Sequence, residues 1–435
     1  MKSFTIGGVF AVAVAIAGVS GTTPVMAEQV TIKMWMHEHP PRLPIDKHII
    51  EDFQKANPDI KIDYTVIAAT EYATKLITAF ASGSGPDLFN QFSGLVAQYY
   101  NARILAPIDY TATGYGDEKG YTSHFFSGLD GIRFTGKYYG IPTEVSNYAC
   151  YANNKLWSAA GLDPNKDFPK TWEQFPAIAE KLTKRDANGN PIRRGFDFNW
   201  PNKNFVWMGM NTMLHQLGTA LVDEDTYSTK LDTVEGKRAM QYWVDWANKL
   251  KLGGPQYTDA RTDFLAGNLA TDCSFGVWGL PQFKDAKIDY TVKPLPRWGE
   301  GNKSDEGFDA YAYYMMVNAR SPAPVQAAAW KFARFFSDHA AELYTGAGLF
   351  VPRQEDIDTP QFKSDPSAQV FLEELKKAKF SPRIVGYDQV TDAFTRARDR
   401  MVQGGEPVAK VLPEINDQMN SMLKREKARL DAMAK

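Results

Sequence analysis

Residues 82–94, SGSGPDLFNQFSG, decide the fold. The stretch ends a helix on small residues, turns at Gly85-Pro86, runs a short apolar strand through Leu88 and Phe89, and then presents Asn90, Gln91 and Ser93 in succession. Polar groups emerging at the carboxyl end of a buried strand stand where open α/β sheets bind ligands. The same pattern also fits an ordinary strand end, so its meaning depends on its surroundings.

Upstream, VTIKMWM from Val30 is short, apolar and β-rich, and the proline cluster HEHPPRLP bounds it. Ile45, Ile49, Phe53 and Ala56 recur at the spacing of one helical face, and Asn57-Pro58 ends that helix. IKIDYTV alternates Ile60, Ile62, Tyr64 and Val66 on one strand face. A second helix over 71–81 places Tyr72, Leu76 and Phe80 on one side. Strand, helix, strand, helix, strand is the order that builds a parallel sheet with right-handed crossovers.

Downstream, Leu95, Val96, Tyr99 and Tyr100 form a third apolar helical face, and ILAPIDY closes the unit. Gly136-Lys137 reads as a tight hairpin, and NYACYANN as a strand with a polar end. Thr171 and Gln174 have the spacing of a capping box, so helices are expected over 172–184 and 234–250. Between them NWPNKNFVWMGMNTML forms a helix with an exposed amino end. TDFLAGNLATDCSFGVWGLPQF gives a helix end, a strand and a second helix; GFDAYAYYMMVN is a strand and SPAPVQAAAWKFARFFSD a helix. GAGLFVPR returns to extended structure before a mostly helical tail from Asp365.

The first residues have the form of a secretory signal: Lys2, an apolar run over 6–19, and the small-x-small pattern Val25-Met26-Ala27. Gly7, Gly8 and Gly18 interrupt that run, which falls short of the roughly 20 apolar residues of a membrane span. Cleavage after Ala27 and a soluble periplasmic protein are expected. No cysteine precedes Cys150, so no site for amino-terminal lipid attachment is seen.

With 49 basic and 51 acidic residues and no long run of either sign, the chain lacks the concentrated basic surface that nucleic acid requires. Its 435 residues suffice for two domains. Cys150 and Cys273 sit in the apolar contexts YACYANN and TDCSFGVW, which favours two buried thiols over a bridge and suits neither to catalysis.

Several passages, in order, carry a family resemblance: TIKMW, FQKANPDIKIDY, GPDLF, GKYYGIPTE, YANNKLWSAAGL, PKTWEQF, FLAGNLA with GVWG, AAWKFARFFSD and GLFVPR. They span nearly the whole chain after the signal. The chain resembles an extracellular solute-binding protein of a bacterial ATP-driven (ABC) importer, in the group that binds sugars and oligosaccharides. The resemblance implies a two-lobed α/β fold of the type II-like periplasmic binding proteins, each lobe a mainly parallel sheet flanked by helices. It places crossings near Thr143, Phe308 and Val351, a first lobe of 28–142 plus 309–350, and a second of 143–308 plus 351–435. It also implies a monomer without cofactor that delivers a carbohydrate to permease subunits in the inner membrane. The family often has tyrosine before the asparagine of its YN pattern; here Ala152 precedes Asn153.

A sugar offers hydroxyls that donate and accept on rings with apolar faces, so its site needs polar side chains at the rim and flat aromatic rings. Trp35, Glu38 and His39 after the first strand and Asn90, Gln91 and Ser93 after the third are the first-lobe candidates. Glu144, Asn147 and Tyr148 follow the first crossing, Asp309 and Tyr311 the second, and Arg353 the third. Trp200, Trp207 and Trp278 are the stacking candidates of the second lobe. Alanine at Asn90 or Gln91 is expected to weaken binding without unfolding.

Three rivals remain. Glu38 and Glu144 could be the paired carboxylates of a glycoside-cleaving enzyme, although no Gly-x-Ser-x-Gly, His-Glu-x-x-His or phosphate loop accompanies them. Arg42, His37, His39 and Arg353 could gather around an acidic sugar or another anion. A metal is disfavoured, since alternation would put only His37 and His39 on one face with no third ligand.

Overall fold

The structure, a computed structural model, describes residues 29–433; the expected signal and its cleavage site after Ala27 lie outside the described residues. The strands up to the first crossing are β1 Val30–His37, β2 Ile60–Ile67, β3 Leu88–Phe92, β4 Arg133–Phe134, β5 Lys137–Tyr138 and β6 Ile141–Ser146. Beyond it come β7 Ala149–Asn153, β8 Lys184–Arg185, β9 Pro191–Phe196, β10 Leu269–Phe275, β11 Tyr290–Lys293 and β12 Tyr311–Val317.

The strands build two five-stranded sheets, β2-β1-β3-β12-β6 and β11-β7-β10-β9-β8. In the first, β1 lies parallel to β2 from Val30 opposite Ile60 to His37 opposite Ile67, and parallel to β3 on its other side. β12 runs antiparallel to both β3 and β6, so four of the five strands point one way and β12 opposes them. In the second, β7 is antiparallel to both its neighbours, β10 and β11. β10 is parallel to β9 and β8 is antiparallel to β9, so β7 inside the sheet and β8 at its edge both run against β11, β10 and β9.

Local sequence explains the first sheet. In β1, Ile32, Met34 and Met36 are fully buried while Lys33 is exposed. All five residues of β3 are buried, as a strand covered on both faces requires. The helix Ala69–Ser82 ends on Gly83 at φ 77, a left-handed cap that glycine adopts without a Cβ penalty. Gly85 then passes so close to the Phe80 ring that a Cβ would lie 2.3 Å from it. The run of small residues in the opening stretch is therefore a packing requirement.

Three expectations change in detail. The hairpin turns at Thr135 and Gly136, both with positive φ (46 and 79), one residue earlier than read, because β5 already begins at Lys137. The expected helix over 172–184 starts only at Phe175 and ends at Leu182. A hydrogen-bonded turn precedes it, in which Gln174 N–H donates to Thr171 Oγ1 and Gln174 Oε1 accepts from Lys170 N–H. Cys150 and Cys273 are joined in a disulfide rather than held as two thiols. Antiparallel pairing of β7 with β10, Tyr151 opposite Asp272, is what brings together residues 123 apart in sequence.

Candidate functional site between the sheet ends

One edge of the first sheet carries the carboxyl ends of β1, β3 and β6, His37, Phe92 and Ser146, and the amino end of β12, Tyr311. The corresponding edge of the second carries the start of β7 and the ends of β9 and β10. Only Asn147 and Tyr148 separate β6 from β7, and two residues reach about 7 Å, so these edges must face each other.

Aromatic rings and buried polar groups fill the junction. Tyr148 meets Phe308 edge-on at 4.7 Å and Phe205 at 5.7 Å, and lies 5.8 Å from Tyr311. The Tyr311 hydroxyl donates to Glu144 Oε1 at 3.0 Å. Burial pushes the Glu144 carboxyl up to about 7, against the opposing pull of that hydrogen bond and of Arg42. His37 stacks on Tyr313 at 4.3 Å. Burial first, then Arg42 and His39, holds the His37 ring well below the usual histidine range.

The residues of the opening stretch work as struts. Asn90 Oδ1 accepts from the His37 backbone N–H at 3.1 Å, and its amide lies 2.7 Å from His37 Nδ1. Gln91 donates to the Tyr99 hydroxyl and accepts from Phe92 N–H. Ser93 Oγ accepts from Ala312 N–H, pinning β12 beside β3. Asn147 donates to Phe371 O. Trp35 lies within β1 and is half-buried, Glu38 is exposed, and His39 keeps a buried Nδ1 without a partner. Burial and Arg42 lower His39 to about 4.

On the facing edge, Trp278 follows β10 and is half-buried with its indole N–H unpartnered. The Arg261 guanidinium stands 4.7 Å from the Trp278 ring centroid and 5.9 Å from that of Tyr148. Its Nε and Nη2 donate to Ser274 O at 2.8 and 2.5 Å, which fixes its plane. Asn199 Oδ1 is a buried acceptor without a partner, although its amide donates to Ser274 Oγ. Trp207, fully buried, meets Tyr387 edge-on at 5.7 Å, and Tyr387 reaches Phe92 of the first sheet at 6.1 Å. Trp200 belongs to the core, donating to Asp197 Oδ1 at 2.7 Å and packing on Trp243.

Asp309 and Arg353 are both engaged by internal partners. Asp309 accepts from Asn211 Nδ2 at 2.7 Å and from Thr212 Oγ1 at 3.2 Å. His215 Nδ1 lies 2.9 Å from Glu306 Oε1 and 3.4 Å from Asp309 Oδ1. Burial pulls His215 down, but its bonds to Asp309 and Glu306 outweigh that and lift it to about 9. The ligating atoms of His215, Glu306 and Asp309 lie within 4.8 Å of one another, but protein donors already engage the carboxylates. Arg353 pairs with Asp338 at 2.7 Å and with Glu355, and Arg42 with Asp46 at 3.0 Å and with His37 O. The four cations suggested for an anion site are thus spent on internal partners or, in the two histidines, kept from charging.

Sequence reasoning passed over Arg261, Tyr313, Phe92, Asn199 and Tyr387. Tyr313 had a signal, since it shares a strand face with Tyr311 two residues before it. Arg261 had a local signal too: only two residues separate its helix Ala260–Ala266 from β10, so the helix packs back on that strand and brings Arg261 to Ser274, 13 residues on.

Two α/β sheets meeting at their strand ends across short crossings make this a two-lobed solute-binding fold. The chain belongs to the bacterial extracellular solute-binding proteins, whose family model matches residues 40–342. It is 24% identical over 358 residues to the maltotriose-binding protein of Pyrococcus abyssi, covering 81% of this chain and 73% of that one. With the arabinooligosaccharide-binding protein of Halalkalibacterium halodurans it shares 23% over 248 residues, 55% of this chain and 53% of the other. Among solved structures, an ABC substrate-binding protein from Listeria monocytogenes in complex with cycloalternan superposes at TM-score 0.78 with 22% identity, covering 91% and 99% of the chains. The maltose/maltodextrin-binding domain from Bdellovibrio bacteriovorus bound to maltotriose gives 0.77 with 19% identity, covering 91% and 100%. Among the described residues no helix is long and apolar enough to cross a membrane.

Proposed function

We propose that this protein captures a sugar or oligosaccharide between its two lobes and delivers it to the permease of an ABC importer, acting as a periplasmic monomer after removal of a signal ending at Ala27. The observation that carries the reading is the run of groups across the sheet ends, in which Arg261 stands beside both Trp278 and Tyr148, and Tyr148 lies beside Tyr311, which bonds Glu144. An indole face suits the apolar side of a sugar ring, and the unpartnered Trp278 N–H and Asn199 Oδ1 suit its hydroxyls. A buried hydroxyl left unpaired costs about 1–3 kcal/mol, so such groups select as well as hold. The names of the relatives point to the same ligand class.

The lobes divide at 142/143, 308/309 and 350/351 in this reading. It is supported by the sheets: β1, β2, β3 and β12 fall in the first set of segments and the whole second sheet in the other, with β6 running through the first boundary. Of the expected contacts, Trp278, Tyr148, Tyr311, Glu144, Trp207 and His39 stay as ligand candidates. Trp35 and Glu38 flank the site, while Asn90, Gln91, Ser93, Asn147, Trp200, Asp309 and Arg353 shape it. Ligand shifts an open-to-closed equilibrium by binding the closed form more tightly.

Titration of the mature protein with maltotriose and with arabino-oligosaccharides tests this. The expected result is a saturable change in tryptophan fluorescence with the sugar recovered intact; cleaved sugar, or no binding by any oligosaccharide tried, contradicts it.

A further inference from the structure

β10 carries one residue too many where it approaches the candidate site. Asp272 stands opposite Tyr151 of β7 and Phe275 opposite Ala149, so Cys273 and Ser274 together face the single residue Cys150. Two residues against one make a β-bulge, in which the extra residue is left out of the ladder. The Cys150–Cys273 disulfide ties this bulge to β7.

The polar groups of Ser274, released from the ladder, are spent on one guanidinium and its support. Ser274 O accepts from Arg261 Nε and Nη2 at 2.8 and 2.5 Å. Its hydroxyl oxygen lies 3.2 Å from Arg261 Nε and accepts from Asn199 Nδ2 at 3.3 Å. Ser274 N–H donates to Asp272 Oδ1, which keeps a buried donor from going unmet.

Asp272 is fully buried, so it cannot meet a ligand itself. Burial pushes its carboxyl up to about 6, against the opposing pull of the Ser274 N–H and of Arg261. Above that pH it accepts the Ser274 N–H as an anion, the stronger form of the bond. Contacts then run without a break from Asp272 through the Ser274 backbone to Arg261, and from Arg261 to the rings of Trp278 at 4.7 Å and Tyr148 at 5.9 Å. We propose, on the reading of the facing sheet ends as the sugar site, that Asp272 is a positioning residue for ligand binding: it holds the bulge at Ser274, and so fixes Arg261 beside Trp278 and Tyr148, without touching the sugar.

A double-mutant cycle read by calorimetry tests this, with maltotriose or whichever oligosaccharide the parent binds as the probe and every variant first shown to be folded by circular dichroism. Asp272→Ala should weaken binding about fivefold. Asp272→Asn, which keeps an acceptor for the Ser274 N–H, should stay within about twofold of the parent. Placed on Arg261→Met, Asp272→Ala should cost nothing further, because the group it acts through is gone. Asp272→Val, which suits a buried strand and brings no acceptor, replaces the alanine in the cycle if that variant does not fold. Equal affinity in Asp272→Ala and the parent, the same loss in both backgrounds, or an asparagine variant as weak as the alanine would each overturn the proposal while leaving the sugar site standing. A parent that binds no oligosaccharide would contradict the sugar site and the proposal together.

Discussion

Tyr311 donates its hydroxyl to Glu144 at 3.0 Å, tying the first residue of β12 to the strand that leaves for the second lobe. Burial holds the proton on Glu144 up to about pH 7, whereas the unfolded carboxyl releases it near 4.5. A raised carboxyl contributes stability that is complete below the unfolded value and lost as pH rises through the folded one. Between pH 5 and 8 the parent should therefore lose up to about 3 kcal/mol relative to Glu144→Gln, which keeps the shape without the titration. Urea unfolding of both proteins across that range measures the difference, and a constant gap refutes it.

Asn90→Ala should act on the fold. It strips the buried His37 backbone N–H and ring nitrogen of their partner, a loss of about 2 kcal/mol. The expected result is a lower unfolding midpoint together with weaker sugar binding. Unchanged stability with lost binding would instead make Asn90 a direct contact.

Trp278→Ala should weaken sugar binding at least tenfold, while Arg261→Met, which keeps most of the stem but not the charge beside the indole, should cost less. Calorimetry on both variants checks the order. Equal affinity in Trp278→Ala would move the stacking surface elsewhere.

Reducing the Cys150–Cys273 bridge should destabilise the protein by about 2–4 kcal/mol, because the bond closes a loop of over a hundred residues in the unfolded chain. Thermal unfolding with and without a thiol reductant tests this, and coincident curves count against a formed bridge.

Much of the fold was legible because its signals are local. The alternation in β1 and β2 and the 3.6-residue faces of the helices Leu43–Ala56 and Ala69–Ser82 need no partner to be read. The candidate site was legible to the extent that strand ends are, since Glu144, Tyr148, Tyr311 and Trp278 lie in or just beyond strands at the two facing sheet edges. Whether a polar side chain there is free or spent depends on residues far away in sequence. Asn90 looks open until His37, 53 residues earlier, arrives beside it, and Asp309 until Asn211 does, 98 residues off. The disulfide was hidden for the same reason, since antiparallel pairing of β7 and β10 has no local sign.

Small-angle X-ray scattering of the mature protein with and without saturating oligosaccharide tests the capture of solute between closing lobes most directly. The radius of gyration should fall on binding, and the bound curve should match the arrangement in which Tyr387 meets Phe92 across the cleft. A curve unchanged by a ligand that calorimetry shows to be bound would contradict it.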